Sequence, residues 1–244
     1  MQVRRTGLAR ALSKLGYCSR FAAFEKIRGG EVSVNGRVVR NPEQSVQIGR
    51  DRIAVEGQML GAARKVYFMM NKPRGVVTTA SDEKQRKTVC DLLAKEIPWV
   101  APVGRLDMAS EGLLLLTNDS EWAVRIIDPA RHVDKVYHVQ VVGTLKAEMM
   151  RAMLKGVCSL NEVLRAKRVS IVREGERNTW IEVVLDEGKN RQIRRILKER
   201  GLEVLRLIRI SIGPVKLGEL AKGSYRPLTP TEKFALDGAI AART

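Results

Sequence analysis

Apolar residues recur at helical spacing near the start of the chain. The leucines within residues 8–15 fall on one face of a helix, which Thr6 can cap and Gly16 can end in a left-handed conformation. Ser19 can cap a second helix that ends at Gly29-Gly30. The pattern therefore predicts two short, consecutive helices.

Alternating valines follow these helices on both sides of Asn35-Gly36, a dipeptide suited to the two positive φ angles of a type I′ turn. A β-hairpin is the expected structure. We predict that residues 1–60 form one small helix-helix-hairpin module and that residues 61–65 are a linker without clear periodicity. A second domain is expected over residues 66–244.

Beyond Val66, extended and helical patterns alternate irregularly. The predicted strands are VYFMM (66–70), VYHVQVV (136–142), RVSIVR (168–173) and WIEVVL (180–185). The predicted helices are TVCDLLAKEI (88–97), EWAVRII (121–127), KAEMMRAMLKG (146–156) and RQIRRILKERG (191–201). This order favours an α+β fold with a mixed, largely antiparallel central sheet. Dinucleotide, P-loop and α/β-hydrolase motifs are missing from the sequence.

The charge balance is strongly positive. The 244 residues contain 44 Lys and Arg against 27 Asp and Glu, a formal net charge of +17. Such a surplus attracts polyanions, so nucleic acid is the first partner to consider. Three scattered cysteines and two histidines make neither a disulfide framework nor a metal cluster, and no apolar run is long enough to cross a bilayer. We expect a cytoplasmic protein.

The amino-terminal module resembles the small RNA-binding domain named after ribosomal protein S-four. The resemblance runs from Leu8 to Gly36, through L-x-x-x-L-x-x-L-G-x-x-S-R and G-G-E-V-x-V-N-G. It implies that Arg10, Lys14 and Arg20 face RNA phosphates, whereas a basic residue taken alone is more often part of a solvated surface. Phe21 stands where that family often has a second basic residue.

One acidic residue in the larger domain has a suggestive setting. Asp107 lies within VGRLDMASEGLLLLTND, residues 103–119, on a short loop before an apolar run. Such a carboxylate can cap a short helix through Ser110 or pair with Arg105. In so basic a chain it can instead be a catalytic group held over a nucleic acid.

The string around Asp107 resembles the G-R-L-D loop of pseudouridine synthases, in particular the RsuA/RluB branch that modifies one uridine of ribosomal RNA. Three further stretches follow that family's order: NKPRGVV (71–77), DKVYHV (134–139) and EGKNRQIRRILKERG (187–201). Ser120 is a small departure, where glycine is common. The resemblance implies a pseudouridine synthase catalytic domain and an isomerisation without metal or cofactor. It also implies a target nucleotide flipped out of the RNA stack.

The resemblance also implies roles for individual residues. Asp107 would be the catalytic carboxylate, Arg194 its cationic partner and Tyr137 the ring that stacks on the flipped uracil. Arg105 would fill the gap left by the base or hold a phosphate. Further contacts to backbone phosphates are expected from Lys72, Lys189, Arg191 and Arg195.

Two other classes of protein fit part of the sequence. A non-catalytic ribosomal RNA-binding or ribosome-assembly protein would share the positive charge, but it has no need of Asp107, Tyr137 and Arg194 together. A DNA-binding protein would leave the loop at 103–119 unexplained. We expect ribosomal RNA as the partner, free or in an assembling subunit, with no membrane and no small-molecule cofactor, and we expect a monomer. The sequence leaves open which uridine is modified, and whether Asp107 attacks the sugar or promotes proton removal.

Overall fold

The computed structural model describes residues 5–61, 63–80, 82 and 84–241. The chain divides into two compact units. The first contains the residues up to Tyr67 together with Leu93–Ala101 and Leu116–Ser120, and the second contains the rest. The predicted domain limits at residues 60 and 65 remain a proposal.

The first unit is built around two helices and a small antiparallel sheet. Its elements are β1 (Thr6–Gly7), α1 (Leu8–Lys14), α2 (Arg20–Gly29), β2 (Val32–Val34), β3 (Arg37–Val38), β4 (Ser45–Val46), β5 (Ile53–Val55) and β6 (Gln58–Met59). The sheet has the order β3-β2-β5-β6, and β1 pairs separately with β4. Leu8, Leu12 and Ile27 are fully buried between the helices and the sheet, which explains the helical spacing of these apolar residues.

The predicted second helix and hairpin are confirmed. The side chain of Ser19 accepts a hydrogen bond from Ala22 N at 3.0 Å, as expected of a helix cap. Asn35 and Gly36 have φ of +53° and +82°, the two positive angles of the predicted turn between β2 and β3. The predicted cap of the first helix is wrong, because Thr6 is engaged in β1 opposite Val46.

The remaining strands and helices lie mainly in the second unit. They are β7 (Tyr67–Lys72), β8 (Ala101–Val103), β9 (Glu111–Thr117), α3 (Ser120–Ile127), β10 (Lys135–Val142), α4 (Ala147–Lys155), β11 (Val157–Ser159), β12 (Glu162–Leu164), β13 (Arg168–Glu174), β14 (Asn178–Leu185), α5 (Gln192–Lys198), β15 (Val204–Ile212), β16 (Val215–Lys216), β17 (Tyr225–Pro227) and α6 (Pro230–Ala241). Two single-turn 3-10 helices cover Cys90–Leu92 and Pro129–Arg131.

A mixed sheet forms the centre of this unit. Its strands have the order β13-β14-β10-β15-β9-β7-β17, with β16 beside β15 and β8 beside β9. β10 is antiparallel to both of its neighbours, whereas β15 and β9 run parallel. The predicted α+β fold with a largely antiparallel sheet is therefore confirmed. Among the described residues, no helix is long and apolar enough to span a membrane.

The four predicted strands and three of the four predicted helices are confirmed, but the helix predicted over residues 88–97 is wrong. The Asp91 carboxylate accepts a hydrogen bond from Thr88 N at 2.7 Å, which starts a turn that ends at Leu92. Pro98 then disfavours a helical conformation at Ile97. Local side-chain bonding and a following proline thus override the apolar spacing.

Candidate active site

The loop between β8 and β9 carries Asp107, and its backbone is held by the segment that follows β7. Thr78 Oγ1 donates to Leu106 O at 2.6 Å. Gly75 N donates to Met108 O at 2.8 Å. These bonds fix the loop on both sides of Asp107, so the 71–77 motif and Thr78, which follows it directly, support the 103–119 motif.

Lys72, the last residue of β7, lies beneath this loop. Its side chain is fully buried, and its ammonium donates to Asp107 O at 3.2 Å, Ser110 O at 2.9 Å and Pro73 O at 3.0 Å. The prediction that Lys72 contacts a phosphate is therefore wrong, since no part of the side chain reaches the surface. Lys72 instead fixes the position of the loop.

Replacing Lys72 with methionine should destabilise the protein by about 3 kcal/mol, because one buried and two partly buried carbonyl groups lose their donor. Urea unfolding measures the change. Lys87→Met removes an exposed lysine of the same unit and should stay within about 0.5 kcal/mol of the wild type. Equal stability of the two variants would contradict the role given to Lys72.

The same comparison has a pH signature. Burial lowers the pKa of Lys72 from its ordinary 10.5 to about 8. Between these two values the unfolded chain binds more protons at this lysine than the folded chain, so the stability of the wild type relative to Lys72→Met should rise with pH across that window.

Two arginines near the start of α5 face the Asp107 carboxylate. Arg191 Nη1 lies 3.2 Å from Asp107 Oδ2, and Arg194 Nε lies 4.0 Å from the same oxygen. Arg194 also donates from Nη2 to Ala109 O at 3.1 Å, and its side chain is 13% exposed against 50% for Arg191. Burial and the charge of Arg191 lower the pKa of Arg194, whereas Asp107 opposes this change. The carboxylate thus faces one largely buried cation, Arg194, and one exposed cation, Arg191, and neither is Arg105.

These residues line a cavity of about 410 Å³ within the second unit. Its wall includes six basic and two acidic side chains, in addition to the Tyr137 ring and apolar residues. The charged residues are Arg105, Asp107, Lys135, Glu187, Lys189, Arg191, Arg194 and Arg209. A concave, mainly positive site with one aromatic face fits a nucleotide.

The cavity brings together most of the predicted site residues of the larger domain. Asp107, Tyr137, Arg194, Arg105, Lys189 and Arg191 all line it. Arg195 does not: its guanidinium donates to Glu162 at 2.8 Å and to the backbone oxygen of Ser159. The prediction that Arg195 contacts a phosphate is therefore corrected, since this side chain joins α5 to the β11-β12 hairpin.

The basic residues predicted in the amino-terminal module lie on or beside its two helices. Arg10 and Arg20 are exposed, and Lys14 is partly buried at the end of α1. Phe21 is 69% exposed on α2. The exposed positions of Arg10 and Arg20 are compatible with the expected RNA contacts.

Two cavity residues, Lys135 and Arg209, were not predicted as site residues. Lys135 is the basic residue two positions before Tyr137, so the 134–139 motif already contained a signal. Arg209 lies in β15, a strand absent from the sequence-based prediction. It donates from Nε to Leu113 O at 2.7 Å.

Gly112 allows β15 to approach the start of β9. A Cβ atom at this glycine would lie 2.3 Å from Arg209 O and 2.7 Å from Arg209 N, and its φ is +105°. Only glycine fits so close a backbone contact at this angle. Gly112 therefore positions β15, the strand that carries Arg209 to the cavity.

Within the described part of the chain, no group of three His, Cys, Asp or Glu side chains could hold a metal ion. The chemistry that the cavity itself offers is that of a carboxylate between two guanidinium groups, beside an aromatic ring.

Comparison with known families identifies the class of protein to which this fold and cavity belong. The RNA pseudouridylate synthase family model matches residues 66–199, and the S4 domain model matches residues 6–53. The chain belongs to the RNA pseudouridylate synthase family. The protein is an enzyme that isomerises uridine in RNA, and an RNA-binding S4 domain precedes its catalytic domain.

Relatives are similar over nearly the whole chain. Ribosomal large subunit pseudouridine synthase B of Bacillus subtilis is 38% identical over 231 residues, which cover 92% of this chain and 93% of that protein. An uncharacterised RNA pseudouridine synthase of Rickettsia prowazekii is 37% identical over 230 residues, 91% of this chain and 94% of the relative. The crystal structure of a pseudouridylate synthase matches with a TM-score of 0.66 and 30% identity, and the match covers 95% of this chain and 99% of that one.

Proposed function

We propose that the protein converts one uridine of ribosomal RNA into pseudouridine and that Asp107 is the catalytic carboxylate. The observation that carries this assignment is the placement of Asp107 within a nucleotide-sized cavity, 3.2 Å from Arg191 and 4.0 Å from Arg194. The name of the Bacillus subtilis relative supports ribosomal RNA as substrate and directs the first search to the large subunit.

The reaction breaks the bond between the ribose C1′ and the uracil N1, turns the base and joins C1′ to C5. The proton on C5 is lost and N1 gains one, so the atoms balance without a second substrate. A carboxylate close to the sugar can attack C1′ or promote proton removal, and both routes need Asp107 ionised. The guanidinium groups of Arg191 and Arg194 place positive charge next to this carboxylate.

The ring of Tyr137 would hold the flipped uracil. Tyr137→Phe keeps the flat face and should retain most activity, whereas Tyr137→Leu loses about 1–3 kcal/mol of base stacking and should lower kcat/KM by about 5- to 150-fold. Single-turnover pseudouridine formation measures both variants. Equal activity of the two would mean that the ring is not a stacking surface.

The three basic residues Arg10, Lys14 and Arg20 would bind phosphates and orient the RNA. Changing all three to glutamine should weaken RNA binding and flatten the plot of log affinity against log salt by about 2, since fewer counterions are released. A matched control changes the exposed Arg37, Arg50 and Arg52 to glutamine, with the same loss of charge. If the control flattens the plot equally, Arg10, Lys14 and Arg20 have no specific role in RNA binding.

At the rim of the cavity, Arg105, Lys189 and Arg191 would contact phosphates of the target strand. The ribosomal RNA substrate supports action in the cytoplasm. We also propose that the protein acts as a monomer, with residues 1–60 as the RNA-binding module and residues 66–244 as the catalytic domain.

Mapping of pseudouridines in ribosomal RNA from cells with and without the gene tests the function. One site should disappear on deletion and return with the wild-type protein but not with Asp107→Asn. An unchanged set of pseudouridines would overturn the ribosomal RNA proposal.

A further inference from the structure

Two buried cations of the cavity have no part in the mechanism described so far. Lys135 and Arg209 are 9% and 5% exposed. Among the described residues, neither forms an ion pair, and Arg209 Nη2 has no hydrogen-bond partner. Asp134 and Asp186 attract Lys135 at longer range, but each has another partner: Asp134 pairs with Lys167 at 2.8 Å, and Asp186 lies 3.3 Å from His132. A buried cation without an ion pair of its own is unfavourable, so it indicates a ligand that supplies electron-rich atoms.

Both cations lie beside Tyr137. Lys135 is two residues before it on β10, so the two side chains share one face of the strand. Arg209 is the residue opposite Tyr137 on β15. Burial and the charge of Arg209 lower the pKa of Lys135 to about 8, which agrees with two cations in one small space.

We propose that Lys135 and Arg209 bind the carbonyl edge of the flipped uracil and stabilise the negative charge that forms on it when the C1′–N1 bond breaks. This inference rests on the proposed function. The electron pair of that bond passes to N1 and is delocalised onto the uracil oxygens O2 and O4, whichever role Asp107 has. Cations placed at this edge therefore act more strongly on the transition state than on bound uridine.

The placement favours the base over a backbone phosphate. Exposed Arg191 and Lys189 can meet phosphates, which stay near solvent, whereas Lys135 and Arg209 are buried next to the ring on which the base would stack. The same arrangement discriminates between pyrimidines. Cytosine presents an amino group in place of O4, and a donor facing a cation is repelled.

Lys135→Met provides the main test, with RNA that carries the mapped target uridine. We expect kcat to fall by about 10²-fold, as when one donor to a developing negative charge is removed. Lys135→Arg and Arg209→Lys keep the charge and should retain kcat within tenfold. Lys216→Met, an exposed lysine on β16, is the matched control and should keep wild-type activity. Thermal unfolding should show Lys135→Met at least as stable as the wild type, since an unpaired buried charge is removed.

RNA with an abasic ribose at the target position distinguishes a contact of Lys135 with the base from a contact with a phosphate. Lys135→Met should bind this RNA within twofold of the wild type, because no uracil edge is present. Weaker binding of abasic RNA would assign Lys135 to a phosphate and overturn the inference, as would a kcat within threefold of the wild type. If Lys135→Met does not fold, a loss of more than tenfold in folded Lys135→Arg would overturn it equally. A wild-type protein without product in the same assay would instead refute the proposed function, and this inference with it.

Discussion

Asp107→Asn should abolish isomerisation and leave RNA affinity within a few fold of the wild type. Asparagine has nearly the same shape, but it can neither attack the sugar nor take a proton. The rate should fall by about 10⁴-fold or more, as when a nucleophile is removed from an enzyme. Affinity is retained because the phosphate-binding residues are unchanged. Single-turnover pseudouridine formation and RNA titration at fixed salt measure the two quantities.

Asp82→Asn is a matched control for this variant. It changes the charge by the same amount, on a carboxylate that pairs with Arg86 outside the cavity. Its activity should match that of the wild type. Near-normal turnover by Asp107→Asn would remove the catalytic assignment, and equal losses in the two variants would show that charge alone is responsible.

Gly112→Ala should destabilise the second unit by roughly 3–5 kcal/mol, from a backbone overlap and an unfavourable φ together. The new methyl group would meet backbone atoms of Arg209, which no side-chain rotation relieves. Denaturant unfolding measures the loss. It should be accompanied by lower activity, since β15 carries Arg209 to the cavity.

Gly218 provides the comparison for this change. It also has a positive φ, +59°, but apart from its two chain neighbours no described residue has an atom within 4 Å of the point that a Cβ atom would occupy there. Gly218→Ala should therefore lose only about 1 kcal/mol. If Gly112→Ala is no less stable than Gly218→Ala, the close approach of β9 and β15 is not the reason why position 112 requires glycine.

Local signals in the sequence were sufficient where one short segment determines its own structure. The Ser19 cap and the turn at Asn35-Gly36 depend on neighbours only, and both were predicted from the residues themselves. The helix expected over residues 88–97 is wrong although its structure is also locally determined. The apolar spacing does not show the hydrogen bonds between Thr88 and Asp91 that form a turn there instead.

Prediction of the site depended on family resemblance, because its parts are far apart in the chain. The resemblance led to Asp107, Tyr137 and Arg194, which do line one cavity. It did not reveal that Lys72 is buried, since a lysine in a basic chain is expected at the surface. Arg209 was missed because its environment is created by pairing of β15 with β9 and β10, which no local pattern encodes.

In the Asp107 loop, the groups that hold the backbone in place are different from the side chains that the loop presents. Lys72, Thr78 and Gly75 hold the loop through its backbone carbonyl groups, so the side chains at positions 105 and 108 take no part in that support. Met108 is accordingly 48% exposed. Evolution or design can therefore vary position 108 to redirect the enzyme to a different RNA, while the Asp107 carboxylate keeps its place.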